Sequence, residues 1–201
     1  MIDPQEYVNS ILSDLGFSTI EELIDRFFLY ELTQSYSRIN KQPETENKIR
    51  DRFIKDLYRQ ESTTRKLMDK DILRIDWERQ VFKNEEWQLG RTDIEFYLPG
   101  IKFILECKRL DSPNVQYINE GVSRFVNCDY AENDSYAGMV GFIVGGKRNA
   151  IIVGLKEKVG NIISNSPLEY WDLCFRSNHL RKNNTSITLS HLFFEFNELS
   201  V

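Results

Sequence analysis

Gly90-Arg91-Thr92-Asp93-Ile94-Glu95-Phe96 and Lys102-Phe103-Ile104-Leu105-Glu106-Cys107-Lys108, parted by Pro99-Gly100, decide how this chain is read. Both segments carry the alternation and β-branched or aromatic content of strands, and Pro-Gly between them is a turn signal, so together they predict a hairpin. Side chains two apart on a strand share a face, so Glu106 and Lys108 project together while Cys107 points away. The hairpin brings Asp93 beside them. Two carboxylates and one ammonium on neighbouring strands offer oxygen ligands to a hard divalent cation and a group that positions or helps deprotonate water.

Glu-x-Lys alone says little, since Glu46-Asn47-Lys48 repeats it on a predicted helix where the two side chains diverge. Only the pair at 106 and 108 ends an apolar run and follows an Asp-bearing strand across a short turn. Upstream, a helix is expected from Glu44 to about Arg59, with Glu46, Ile49, Phe53 and Leu57 on one face. A first strand is expected from Ile72 to Val81. Downstream, the pattern predicts a helix from Val115 to Cys128 and then Gly138 to Val144, an apolar run suited to a central strand covered on both faces. A helix from Ala150 to Ser164 and strands at Tyr170 to Phe175 and Ile187 to Phe196 complete the reading.

This combination resembles the PD-(D/E)XK superfamily, the restriction-endonuclease-like nucleases, over roughly residues 44–145. The resemblance implies an α/β fold with a mixed central sheet flanked by helices. It assigns Asp93 and Glu106 to a magnesium ion (Mg2+, with Mn2+ as a possible substitute), adds the main-chain carbonyl of Cys107 as a ligand, and gives Lys108 the task of orienting the attacking water. Glu46 is the candidate for the acidic residue that the family often carries on its first core helix, and Gln116 for a glutamine near the site. Thr92 stands where the motif has its proline. The implied activity is metal-dependent hydrolysis of DNA phosphodiesters, with nucleic acid as partner. A catalytically weak module of the same fold, binding nucleic acid or a protein within a larger assembly, is the alternative.

Other assignments compete residue by residue. Asp93 and Glu106 can instead form structural ion pairs with Arg91 and Lys108, and Glu95, on the Asp93 face, reads as an exposed strand acid. Lys147, Arg148, Arg176, His179, Arg181 and Lys182 read as solvated loop charges that would otherwise touch phosphates. His179 and His191 lack a zinc spacing and read as hydrogen-bonded structural residues. Tyr117, Gly121, Arg124, Phe125 and Tyr130 read as helix packing, with Arg124 able to reach a phosphate.

The 201 residues suffice for one well-packed domain (43–201) preceded by a helical extension (1–42). In the extension Tyr7, Ile11 and Leu15 recur at helical spacing, Gly16-Phe17-Ser18 makes a turn, and Leu23, Ile24, Phe27, Phe28 and Leu32 form a second stripe. Its aromatic surface must be buried against residues beyond 44, or used for a homodimer or a partner protein. The net charge of -5 gives no general attraction to phosphate, so any contact with DNA must be local. Ile2-Asp3-Pro4-Gln5-Glu6 after Met1 does not read as a secretory leader, and Cys107, Cys128 and Cys174, odd in number and far apart, suit reduced thiols. No apolar run spans a bilayer, so a cytoplasmic location without membrane contact is expected.

Overall fold

The computed structural model describes residues 3–83 and 87–196; residues 1–2 and 197–201, the outer ends of the two expected segments, lie outside the described residues. Seven strands form one mixed sheet in the order β1-β2-β3-β4-β7-β6-β5. β1 (Arg74–Lys83), β2 (Trp87–Leu98) and β3 (Ile101–Leu110) are antiparallel, β4 (Tyr136–Ile143) runs parallel to both β3 and β7 (Ser186–Glu195), and β6 (Cys174–Leu180) and β5 (Ile162–Ser164) close the far edge antiparallel. Parallel neighbours need crossovers, and helices supply them on one face. A π-helical turn (Tyr117–Val122) continuing into α6 (Ser123–Val126) joins β3 to β4, and α7 (Arg148–Val159) follows β4.

The other face is covered by the N-terminal helices. α1 (Pro4–Asp14) starts with Asp3 accepting from the Gln5 amide and Pro4 in its first turn, a favoured N-terminus. After the turn, α2 (Ile20–Leu23), a π-helical segment (Ile24–Leu29) and α3 (Tyr30–Arg38) run on as one helix, followed by α4 (Glu46–Leu57) and α5 (Thr63–Met68). The apolar stripe of the extension enters the same core as the sheet: Phe28 stacks on Phe96 at 4.7 Å and lies 5.9 Å from Phe103, while Phe53 of α4 stacks on Phe142 at 5.7 Å. A second core, built on Tyr117, Phe125, Ile151, Leu155, Phe175 and Phe193, fills the opposite side. β4 supplies both, with Ala137 and Met139 on one side and Val140 and Phe142 on the other. No helix among the described residues is long and apolar enough to cross a membrane.

Three expectations need correction. The strand expected at Tyr170 to Phe175 begins only at Cys174 and runs to Leu180, because Tyr170 and Trp171 turn to the helical layer and pack edge-on against Tyr30 and Tyr36. The helix expected to reach Ser164 ends at Val159, where Gly160 adopts φ 63° and the chain turns into the short β5. Glu95 is not exposed: its side chain is buried and accepts from Arg79 Nη1 at 2.9 Å.

Candidate active site

The hydrogen-bonded pairing of β2 with β3 ends at Ile94 opposite Leu105. Just beyond, the Asp93 side chain takes over the role of the ladder, its Oδ2 accepting from the Cys107 amide at 2.7 Å. Its Oδ1 accepts from Arg50 Nη1 of α4 at 3.0 Å, not from Arg91. Arg50 is buried and also reaches Glu78 and Asp51. Glu78 adopts φ 51°, which breaks the strand alternation so that Trp77 and Glu78, consecutive in sequence, both meet α4 while Arg79 turns to Glu95.

Glu106 lies on the side of the π turn and α6. Its Oε1 accepts from Lys108 Nζ at 2.6 Å and from Arg124 Nη1 at 2.8 Å, while Oε2 is buried without a partner. Burial, and next the negative charge of Asp93, raise its pKa to about 7. Burial would lower the pKa of Lys108, but the carboxylates of Glu106, Glu46 and Asp93 outweigh it and raise the value, so the ammonium stays charged at neutral pH. Lys108 Nζ also donates to the Cys107 carbonyl at 3.0 Å. It therefore sits between two oxygens that the resemblance gives to a cation.

Glu46, in the first turn of α4, caps the end of the same gap: its Oε2 accepts from the Arg109 amide at 2.8 Å, and burial raises its pKa. Asp93, Glu106, Lys108 and Glu46 thus gather along four consecutive positions of β3, Asp93 on the Cys107 amide, Glu46 on the Arg109 amide and Glu106 on Lys108, with Arg50 of α4 on Asp93 and Arg124 of α6 on Glu106. Gln116 is exposed at the start of the π turn. Arg176, His179 and Arg181 are not the solvated loop charges expected: all three are buried, Arg176 and His179 on β6, with Arg176 paired to Glu21 and Asp25 of the N-terminal helices and Arg181 on the Ala131 carbonyl, while Arg148 pairs with Glu195. His191 and His179 share the Ser177 hydroxyl at 2.8 Å each, and Tyr117 completes the buried chain on His191 Nδ1 at 2.9 Å.

Two arginines that hold the site were not assigned that task from sequence. Arg50 is four residues after Glu46, on the helical face already read as buried, and that spacing was the available signal. Arg124 had no such signal. It is fixed by Tyr130, whose hydroxyl accepts from Arg124 and donates to the Arg91 carbonyl at 2.7 Å. A side chain at Gly90 would place its Cβ 2.5 Å from that hydroxyl, so the close approach requires glycine.

The donor set suits a hard cation, because all its atoms are oxygens and two are anionic. The buried, partnerless Glu106 Oε2 and the seating of the Lys108 ammonium on Glu106 and the Cys107 carbonyl show that positive charge is accommodated there. Among the described residues no three His, Cys, Asp or Glu side chains converge on one point. A cation would therefore draw on two carboxylates and a main-chain carbonyl. Asp93 has spare capacity for it, since a carboxylate has about four lone-pair sites and two are in use. No family model matches the chain, nor does any curated protein or solved structure.

Proposed function

We propose that the chain is a metal-dependent nuclease that hydrolyses DNA phosphodiesters at the gap between β2 and β3, on a restriction-endonuclease-like sheet. The observation that carries this reading is the Glu106 carboxylate: buried, raised to about 7, coupled to Asp93, gripped on one oxygen by two cations and left without a donor on the other. From α4 to β4 the order is helix, the short α5, three antiparallel strands, helix and a parallel strand, which supports it.

Asp93, Glu106 and the Cys107 carbonyl would hold magnesium, or manganese in its place. When bound, the ion supplies Lewis acidity at the phosphoryl oxygens and offsets the repulsion between carboxylates and phosphate. Arg50 fixes Asp93 and Arg124 fixes Glu106, so the ligand geometry is set before substrate arrives. The charged Lys108 donates to the attacking water or to a non-bridging oxygen and stabilises the negative charge that grows there. Glu46, with one oxygen on the Arg109 amide, would take the proton on its other oxygen as the water oxygen bonds to phosphorus. The bond from phosphorus to the leaving sugar oxygen breaks, and solvent protonates that oxygen.

The closed Glu106–Lys108 contact and the absence of a three-side-chain ligand set among the described residues favour one second reading, the catalytically weak binding module. Purified protein with magnesium or manganese on linear, circular, single-stranded and branched DNA separates the two. Cleavage is expected in wild type, with a loss of orders of magnitude in Glu106→Gln and Lys108→Ala, and metal affinity lost in Asp93→Ala but kept in Lys108→Ala. Nucleic-acid binding without metal-dependent cleavage would establish the module instead.

A further inference from the structure

On the outer side of Arg50 lies a cleft of about 450 Å3 between α4 and β1, lined by Asn47, Arg50, Lys55, Tyr58 and Trp77, with the acids Asp51 and Glu78 both paired to Arg50. Trp77 is 46% exposed on its strand and lines this cleft, so apolar ring surface is open to a ligand there. Its ring meets Tyr58 edge-on at 5.6 Å, and the Tyr58 hydroxyl is pinned by donating to the Ile75 carbonyl at 2.6 Å. The aromatic wall is therefore held rigid. The left-handed backbone at Glu78, disfavoured for a residue with a side chain, is what lets Trp77 and Glu78 both face α4. Lys55 has no ion-pair partner among the described residues and is free to meet an anion. Arg50 lines the cleft and its guanidinium bonds Asp93, so one side chain links cleft and candidate site.

We propose that this cleft takes one unstacked nucleobase of the substrate strand, stacked on Trp77, with Lys55 on the adjoining phosphate. The inference rests on the nuclease reading and extends it to a substrate class: single-stranded DNA or a frayed end, because a base paired inside a duplex cannot present its face to an indole. Asn47 offers both a donor and an acceptor to the base edge.

The test is binding without turnover, by fluorescence anisotropy of a labelled short oligothymidylate and of a blunt duplex, in EDTA and again with calcium. Trp77→Ala should weaken oligothymidylate binding about tenfold, the loss expected for one base stack, and change duplex binding less than about twofold. Trp77→Phe should recover most of the loss, and the melting temperature of both variants should stay near that of wild type. No loss in Trp77→Ala, or an equal loss for the duplex, overturns the base site. A Trp77-dependent preference for the single strand in a protein that cleaves nothing with magnesium leaves the base site standing and removes the nuclease reading. Cleavage that is indifferent to Trp77 does the reverse.

Discussion

Replacing Phe28 by Ala tests whether the N-terminal helices are part of the folded unit. Its ring is fully buried, lies 4.7 Å from Phe96 and 5.9 Å from Phe103 across the layer, and 5.6 Å from its neighbour Phe27. Truncating a core phenylalanine costs about 3–5 kcal/mol through lost transfer energy and the cavity left behind. The stack on Phe96 and Phe103, both anchored in the sheet and unable to follow the missing ring, puts the value near the middle, about 4 kcal/mol. For a chain of this size that is a fall of about 8–16 °C in melting temperature. It is also a large share of the roughly 5–15 kcal/mol that holds a domain together.

Urea unfolding followed by far-ultraviolet circular dichroism and by tryptophan emission measures it, since Trp171 packs on Tyr36 of the helical layer at 5.6 Å. The two probes should move together and shift together in the variant. Tyr7→Ala, at a side chain 46% exposed, is the control and should change stability by less than about 0.5 kcal/mol. A loss below about 1 kcal/mol in Phe28→Ala, set against the core-truncation range, would refute the packing argument. So would a first transition in which the helices leave an intact sheet.

Arg50→Met should destabilise the fold by about 3 kcal/mol, because Asp93 is left in a mostly buried position without its cation; chemical denaturation measures it, and a neutral result would show that Asp93 finds solvent. Gly100→Ala should cost about 1–2 kcal/mol, since φ there is 79° and the new Cβ would lie 2.9 Å from Val8 of α1; a stability equal to wild type would contradict both the turn conformation and the seating of α1 on it. Burial holds His179 below its ordinary value of 6.5, and the unfolded chain therefore takes up a proton that the folded chain refuses. Its contribution is complete above pH 6.5 and is lost as pH falls from there through the folded value, at no more than about 1.4 kcal/mol per pH unit. His179→Gln should flatten the fall of stability with pH by up to one proton; buried His191, also held low, keeps a fall in both proteins, and carboxylates with raised values, such as Glu31 and Asp134, act in the opposite sense in both and cancel in the comparison. Parallel stability curves for variant and wild type from pH 7 to 5 would rule it out.

What was legible in the sequence is what local pattern dictates. The Pro99-Gly100 turn, the alternation on both sides of it and the apolar run of β4 carry their own geometry, and they locate the hairpin and the central strand directly. β6 was misplaced because its polar residues are satisfied at long range: Arg176 by acids some 150 positions earlier, and Ser177 and His179 in a chain that ends on Tyr117. Burial of a polar side chain is invisible to a pattern that counts apolar ones. Glu95 failed for the same reason, its partner Arg79 being set by strand pairing and by the break in alternation at Glu78. At the site, the residues of the motif were readable and the clamps were not, except for Arg50 at helical spacing from Glu46.

The clamps also bear on why the cluster exists. An ion pair kept only for the fold is expected to give every polar atom it buries at least one partner, because a partnerless buried polar atom costs about 1–3 kcal/mol, and more when charged. Asp93 meets that standard, with one donor on each oxygen, and Glu106 does not. Protonation is no remedy, since a proton on Oε2 would be a donor with no acceptor. Rotating the carboxylate only exchanges which oxygen is left over, as Lys108 and Arg124 converge on the same one. Apolar side chains of similar volume at positions 106 and 108 together would remove this cost along with that of desolvating the ammonium. The arrangement is thus poorer for stability than the simplest alternative, and a buried acid maintained at that cost beside a second acid and two cations is better explained by a ligand that uses the spare oxygen than by packing.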